Sequence, residues 1–494
     1  MSTSIKQASL ITAGSKYLNI FLGILFSAVL SRILTPNDYG IAAIVTIFSA
    51  FFSVLSNCGL GIAVIQNKDF TQDDIDSMFS FSCWFGLGLM ATFIALAYPI
   101  SLFYKNTVYI PICVILSSSI FFNTINAVPD GILRREKKFF LIGIRLIVVS
   151  ALTYGITIAL ALLNFKYYAL VIQSVISSLL IFLWNLKNVT VHFQLKINWS
   201  VLKKIRGYSG YNFLFNFVNY FARNLDKLLI GKALGNEELA QYNKAYHFML
   251  YPVQNLTNII TPVLHPILSD YQNDRPYIYK QYMKIVKLLS LLGVFITAVC
   301  FCCSEEIILL LYGSQWHSAV QCFTYMSFGI WAQMITGTSG ALFNALGDTK
   351  RCFISCCIST VVTIASICIG LSFHSIEILS LTITVSYNFS FVISMFMLIH
   401  ISMGASFLQF LKTLVPDIFI LIVLFCISVV CNRLLQTENL FLSSCVKVII
   451  LGFIYLCLLV ATKQYIHYLP ILPSSIRKKM QLRKTQSKNE DKKK

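Results

Sequence analysis

Runs of about twenty or more apolar residues recur from one end of the chain to the other, and that feature decides which solvent the chain folds in. Of its 494 residues, 57% are hydrophobic and 12% charged, with a mean hydropathy of +0.73. A water-soluble chain of this size cannot hide so much apolar surface. Inside a bilayer, every backbone polar group must be satisfied within the protein, so uninterrupted runs of this length belong to helices. The runs predict an all-α, polytopic membrane protein with about fourteen transmembrane helices. The first run is too long for a cleavable signal and no small-residue cleavage site follows it, so it reads as the first span.

The net charge of +19 invites a nucleic-acid reading, but its distribution argues for topology. Lys and Arg gather in alternate connections: RREKK (134–138), the 187–206 loop and the tail RKKMQLRKTQSKNEDKKK (477–494). This is a positive-inside bias, and it places both termini in the cytoplasm, with the tail near anionic lipid. Nucleic acid is not an expected partner. The fifteen cysteines sit mostly in apolar runs without ligand spacing, so they read as small apolar filler, and no metal or cofactor is expected. No phosphate loop, zinc motif or serine elbow is present. The loops on the outer side are too short to build a catalytic face, so the chain reads as a non-enzyme. With no re-entrant filter for a channel, a secondary transporter remains.

Two stretches repeat. SRILTPNDYGIA (31–42) follows the first span (9–34), and GKALGNEELAQY (231–242) follows the seventh (208–234). A shift of 200 residues puts Thr12 on Asn212, Lys16 on Asn216, Asn19 on Asn219 and Gly23 on Arg223. In the fourth span (108–132), Ser119, Asn123, Asn126 and Asp130 have the same spacing as Gln333, Gly337, Gly340 and Asn344 around the tenth (319–343), an offset of 214. The chain therefore divides into an N-terminal six-helix lobe (1–190), a cytoplasmic linker (191–207), a C-terminal six-helix lobe (208–403), two additional helices (404–464) and a basic cytoplasmic tail (465–494). Six is even, so the two repeats are parallel. WSVLKKIRG (199–207) reads as a surface amphipathic helix.

Residues three and four apart share a helix face. On span 7 the polar set is Ser209, Asn212, Asn216, Asn219, Arg223 and Asp226; on span 1 it is Thr12, Lys16, Asn19, Gly23 and Ser27. Span 8 (241–268) adds Gln254, Asn258, Thr261 and His265. Lipid cannot hydrogen-bond such stripes, so those of spans 1 and 7 are expected to face each other across a hydrated cavity between the lobes; interhelical glue is the alternative. Arg223 reads as a cavity cation or as a structural partner of Asp226 or Lys227. Asp226 reads as a local ion-pair partner or as a proton or sodium site. Lys16 divides between function and snorkelling, and Arg32, Arg145 and Lys244 lean to snorkelling. Lys447, in the additional helices, reads as structural. Interior cations exceed anions, which favours an anionic cargo such as a pyrophosphate.

SRILTPNDYGIAA (31–43), VPDGILRREKKF (128–139), YFARNLDKLLIGKALGNEELAQYNKAYHFMLYP (220–252) and LLYGSQWHSAV (310–320) resemble the polysaccharide exporter branch of the multidrug/oligosaccharidyl-lipid/polysaccharide exporter superfamily. The likeness is greatest to bacterial lipopolysaccharide, O-antigen and colanic-acid-type flippases, and covers about residues 1–460. The resemblance implies a V-shaped two-lobe transporter in the bacterial cytoplasmic (inner) membrane. It implies that an undecaprenyl-pyrophosphate-linked oligosaccharide repeat unit is flipped by alternating access, that the transport is coupled to H+ or Na+, and that a polysaccharide polymerase and a chain-length regulator are partners. Substrate contacts carried over are Lys16, Arg32 and Arg223, with Lys227 and Arg145 behind them; Asn19, Asn216 and Asn219 join them as acceptors of sugar, and Asp226 is the ion-coupling candidate. The alternatives are an ion-coupled multidrug exporter of the same superfamily, which calls for an acidic cavity, and a non-transporting scaffold of polysaccharide assembly, which calls for none.

Overall fold

The computed structural model describes residues 5–56, 60–67, 69–195, 220, 224–272, 274–435 and 439–468, excepting the side chains of 5–13, 258, 259, 262, 263 and 265–267. The described residues are helical, without strands. Contacts group the chain into two compact units: unit 1, Met1–Asn243 with Leu311–Trp316, and unit 2, Lys244–Leu310 with His317–Lys494.

Unit 1 opens with α1 (Ile5–Ile33) and α2 (Pro36–Ser56). The turn between them is written in TPND. Thr35 Oγ1 accepts the Asp38 N–H at 3.2 Å, and the Asp38 carboxylate accepts the Thr35 N–H and hydroxyl at 3.1 and 2.7 Å. This is a reciprocal cap with Pro36 at the first helical position, where no N–H is needed. Then come α3 (Leu60–Gln66), α4 (Gln72–Tyr104), α5 (Tyr109–Ile125), α6 (Ala127–Arg135), α7 (Phe139–Leu162), α8 (Tyr167–Asn188) and α9 (224–233). Thr71 and Asp74 form a second capping box at α4. α1 packs on α7, α4 on α5, and α5 and α2 on α8. Of the expected linker, only 191–195 is described; His192 N–H and Nδ1 there meet the Asp76 carboxylate at 2.9 and 3.2 Å.

α10 (Asn236–Ser269) begins in unit 1 and continues into unit 2. Unit 2 is organised around α11 (Arg275–Cys302), which packs against α13 (His317–Ser327), α14 (Ile330–Thr336), α18 (Phe407–Leu434) and α19 (Leu440–Ala461). α12 (Ser304–Tyr312), α15 (Ser339–Ala345), α16 (Thr349–Ser372) and α17 (Ile376–Met395) complete the series, α17 running into a π-helical turn over Phe396–Ser402. The core joins Tyr282, Val286 and Leu291 of α11 to Trp331, Phe391, Phe410 and Leu451. The two additional helices are thus part of the unit's core rather than an appendage. Phe419, Ile449, Phe453 and Val460 are 55–69% exposed, an apolar surface suited to lipid contact.

Eleven helical stretches among the described residues are long and apolar enough to cross a bilayer. Three of the expected fourteen spans are not among them. Span 7 falls largely outside the described residues, and span 8 is present as the more polar α10. The expected span 10 is not one helix: it breaks between α13, α14 and α15, at Gly329 and at Gly337–Thr338. The helix boundaries keep the repeat. α2 starts at Pro36 and α10 at Asn236, an offset of 200. Left-handed residues, Lys137 (φ 57) and Gly347 (φ 70), precede α7 and α16. That is an offset of 210, which corrects the expected 214. A slip of four residues returns to nearly the same helix face, so spacing alone does not separate the two registers. In the corrected one Asn123 matches Gln333, and the break at Asn126 matches the end of α14 at Thr336.

Candidate functional site

α1 carries three of the expected contacts. Lys16 is exposed and has no polar partner among the described residues; Asn19 is half-buried, and its buried Oδ1 accepts no hydrogen bond from them. Arg32 is exposed, its stem beside Gly313. Sixteen residues separate Lys16 from Arg32, about 24 Å along a helix, so one pyrophosphate cannot touch both at once. The stripe does not point one way throughout: Gly23 lies against the Tyr154 hydroxyl, and Phe26 stacks on Tyr154 at 4.1 Å, both facing α7. Asn216, Asn219 and Arg223 lie outside the described residues. Asp226 is buried on α9, where one carboxylate oxygen accepts the Tyr242 hydroxyl at 2.7 Å and the other has no hydrogen-bond donor among the described residues. Lys227 is within 3.4 Å of Asn224 Oδ1.

Arg145 is buried and committed. It pairs with Asp130 at 2.8 Å and donates to Asn185 Oδ1; Asn185 in turn donates to Asn126 at 2.7 Å, and Arg134 holds the other Asp130 oxygen at 2.6 Å.

Segments 31–40, 236–241 and 315–316, distant in the sequence, converge at one end of unit 1. Trp316 Nε1 donates to Ser31 O at 2.9 Å, Gln315 Nε2 to Leu34 O at 3.0 Å, and Gln241 Nε2 to Gln315 O at 2.9 Å. Tyr39 meets the Trp316 ring edge-on at 5.3 Å. Tyr109 donates to Asn236 Oδ1 at 2.7 Å. Gly40 is required by this clasp, because a Cβ there would sit 1.8 Å from the Asn236 carbonyl oxygen.

Beside the clasp, unit 1 contains a cavity of about 420 Å³, within the usual range for small-molecule sites. α2 lines it with Tyr39, Ala42, Ala43 and Thr46, one helical face whose small residues leave the room. α8 contributes Leu170, Gln173, Ser174, Ser177, Ser178 and Ile181, again one face; Asn123 comes from α5 and Asn243 from α10. No charged residue is among the described residues that line it. Ser174 and Ser178 bond back to their own helix at 3.4 and 3.0 Å, and Thr46 does so at 2.9 Å. The amides of Asn123, Gln173 and Asn243 make no hydrogen bond to described residues, and Asn243 Oδ1 is buried in that state. The sequence reading singled out only Asn123 among these. The remaining signal was the 3–4 spacing of Gln173, Ser174, Ser177 and Ser178, which resembles ordinary helix packing.

A family profile described as polysaccharide biosynthesis protein matches residues 29–321. An uncharacterized membrane protein in the cps region of Klebsiella pneumoniae is 24% identical over 66% of this chain and 68% of its own length. The lipopolysaccharide biosynthesis protein WzxC of Escherichia coli (strain K12) is 22% identical over 80% of this chain and 81% of its own. Among solved structures, the lipid II flippase MurJ in its inward closed conformation superposes with a TM-score of 0.72, covering 94% of this chain and 100% of that one at 16% identity; at this identity the likeness concerns the fold. The chain is a multi-pass membrane protein whose all-helical fold is like that of MurJ.

Proposed function

Because the chain belongs to the polysaccharide biosynthesis protein family, we propose that it is a flippase. Its cargo is an undecaprenyl-pyrophosphate-linked oligosaccharide repeat unit of an O-antigen, capsule or exopolysaccharide. It carries the unit across the bacterial inner membrane by alternating access, making and breaking no bond, with both chain termini in the cytoplasm. The relatives' names and the flippase fold support this reading. The observation that carries it is the cavity of unit 1, whose described lining residues are uncharged and largely polar. A scaffold has no use for such a cavity, and a site for cationic drugs calls for carboxylates, of which its described lining residues include none.

In this reading Lys16 and Arg32 are successive stations for the pyrophosphate, since about 24 Å separates them. Asn19, Asn216, Asn219, Arg223 and Lys227 are further contacts. Arg145 is better explained as a structural cation, because Asp130 and Asn185 already hold it. Release on the outer side requires the clasp around Trp316 to part. Coupling to H+ or Na+ falls to Asp226, whose second carboxylate oxygen lacks a hydrogen-bond partner among the described residues. A polymerase and a chain-length regulator would receive the product.

Deletion of the gene in its host, followed by mass analysis of lipid extracts, tests the reading. The expected result is accumulation of a lipid-linked saccharide with loss of the surface polymer. Unchanged surface polymer with no such accumulation overturns it. In the complemented strain, Asp226→Asn should abolish the dependence of export on the ion gradient; unaltered dependence removes the coupling role.

A further inference from the structure

We infer that the unit 1 cavity is a subsite for an uncharged sugar of the cargo, read by the amides of Asn123, Gln173 and Asn243. This rests on the flippase reading and adds to it a division of labour: pyrophosphate to cations elsewhere on the helices, neutral sugar to this cavity.

The argument is one of hydrogen-bond capacity. Each of the three amides presents an acceptor oxygen and an NH2 donor, and none is engaged by a described residue. Adjacent ring hydroxyls of a sugar both donate and accept, so they match amides. An acyl chain or an apolar drug would leave these groups unmet, at about 1–3 kcal/mol each. A divalent cation would find no carboxylate among the described lining residues. A sugar bearing a carboxylate or phosphate would find no Lys or Arg among the described lining residues, and its charge would be left without a partner from them. The volume of about 420 Å³ suits a small saccharide rather than a single water.

The test uses the full chain in lipid nanodiscs and three probes: undecaprenyl pyrophosphate alone, the same lipid bearing a neutral N-acetylhexosamine disaccharide, and the same lipid bearing a uronic-acid disaccharide. Affinities are read by native mass spectrometry, with thermal stability as a check of folding. The neutral disaccharide should tighten binding at least about tenfold over the bare lipid, which is within reach of two or three hydrogen bonds. The uronic acid should add nothing. Gln173→Leu and Asn123→Leu should each reduce the increment, and Gln173→Lys should transfer the preference to the uronic acid. A sugar increment of nil, an equal gain for both disaccharides, or variants that bind as the parent does would each overturn the subsite while leaving the flippase reading in place. Binding of none of the three lipids would overturn that reading, and the subsite with it.

Discussion

The cavity of unit 1 and the core of unit 2 treat polar side chains in opposite ways. In unit 1 neutral amides line an open cavity and are left without partners from the described chain. In unit 2 full charges are sealed. Lys287 donates to Asp417 at 2.6 Å and to Thr413 O at 2.8 Å, Ser290 donates to the second Asp417 oxygen at 2.6 Å, and Trp331 donates to Ser290 at 2.9 Å. Lys447 pairs with Glu306, which also accepts from Ser443 at 2.7 Å. Both ion pairs are buried, and they tie the two last helices to α11 and α12. A charge inside a membrane-spanning bundle is therefore not by itself a site. A group that is polar, reachable and uncommitted is the better indicator, even without charge.

The largest effect should come from opening a sealed pair. Asp417→Ala leaves the Lys287 ammonium buried with one carbonyl, and should destabilise the fold by about 3–5 kcal/mol. The midpoint of thermal unfolding in detergent measures it. Replacing both partners, Lys287→Met with Asp417→Leu, should recover most of the loss. If Asp417→Ala unfolds as the parent does, the pair is no staple and the contrast between the units fails. A smaller loss, about 2 kcal/mol, is expected for Arg145→Ala. That pair belongs to unit 1 but is sealed, and Asp130 keeps its second partner, the half-exposed Arg134. A loss as large as that of Asp417→Ala would show that Arg134 does not hold Asp130 in its absence.

How much of this could be read beforehand follows from which interactions are local. The spans and the repeat are local patterns of hydropathy and turn chemistry, so α1 to α8 and the 200-residue offset at Pro36 and Asn236 were legible. The register at the fourth and tenth spans was misread by four residues, because a helix nearly repeats its face at that interval. The break of span 10 at Gly329 and Gly337 was not read from the sequence, because glycine also occurs inside membrane helices. Lys447 was recognisable as structural, but its partner Glu306 lies 141 residues away and nothing local points to it. The cavity needed two coincidences that spacing does not reveal: Ala42 and Ala43 leaving space opposite α8, and Asn243 returning to residues placed 200 earlier in the chain. A serine or a glutamine in a membrane helix looks the same whether it faces a cavity or a neighbour.

The smallest effect on stability should come from the one described cation of α1 that has no polar partner. Lys16 is exposed, so Lys16→Ala breaks no ion pair or hydrogen bond with a described residue and should change stability by no more than about 0.5 kcal/mol. Its effect on transport should be far greater. An ammonium at that depth of a span is unfavourable unless water or an anion reaches it, and an anion that does reach it is lost with it. Flipping of a polyprenyl-pyrophosphate-linked saccharide in proteoliposomes should fall by about tenfold or more, and Lys16→Arg should restore it. The parent's rate should also decline with added salt, and the variant's less so, since salt screens a hydrated charge and has nothing to screen once it is gone. Normal flipping by Lys16→Ala would assign the anion to Arg32 and its neighbours, and the open surface of α1 around Lys16 would then be a lipid-facing edge with a snorkelling lysine, which is the reading that the contrast with the sealed cations of unit 2 argues against.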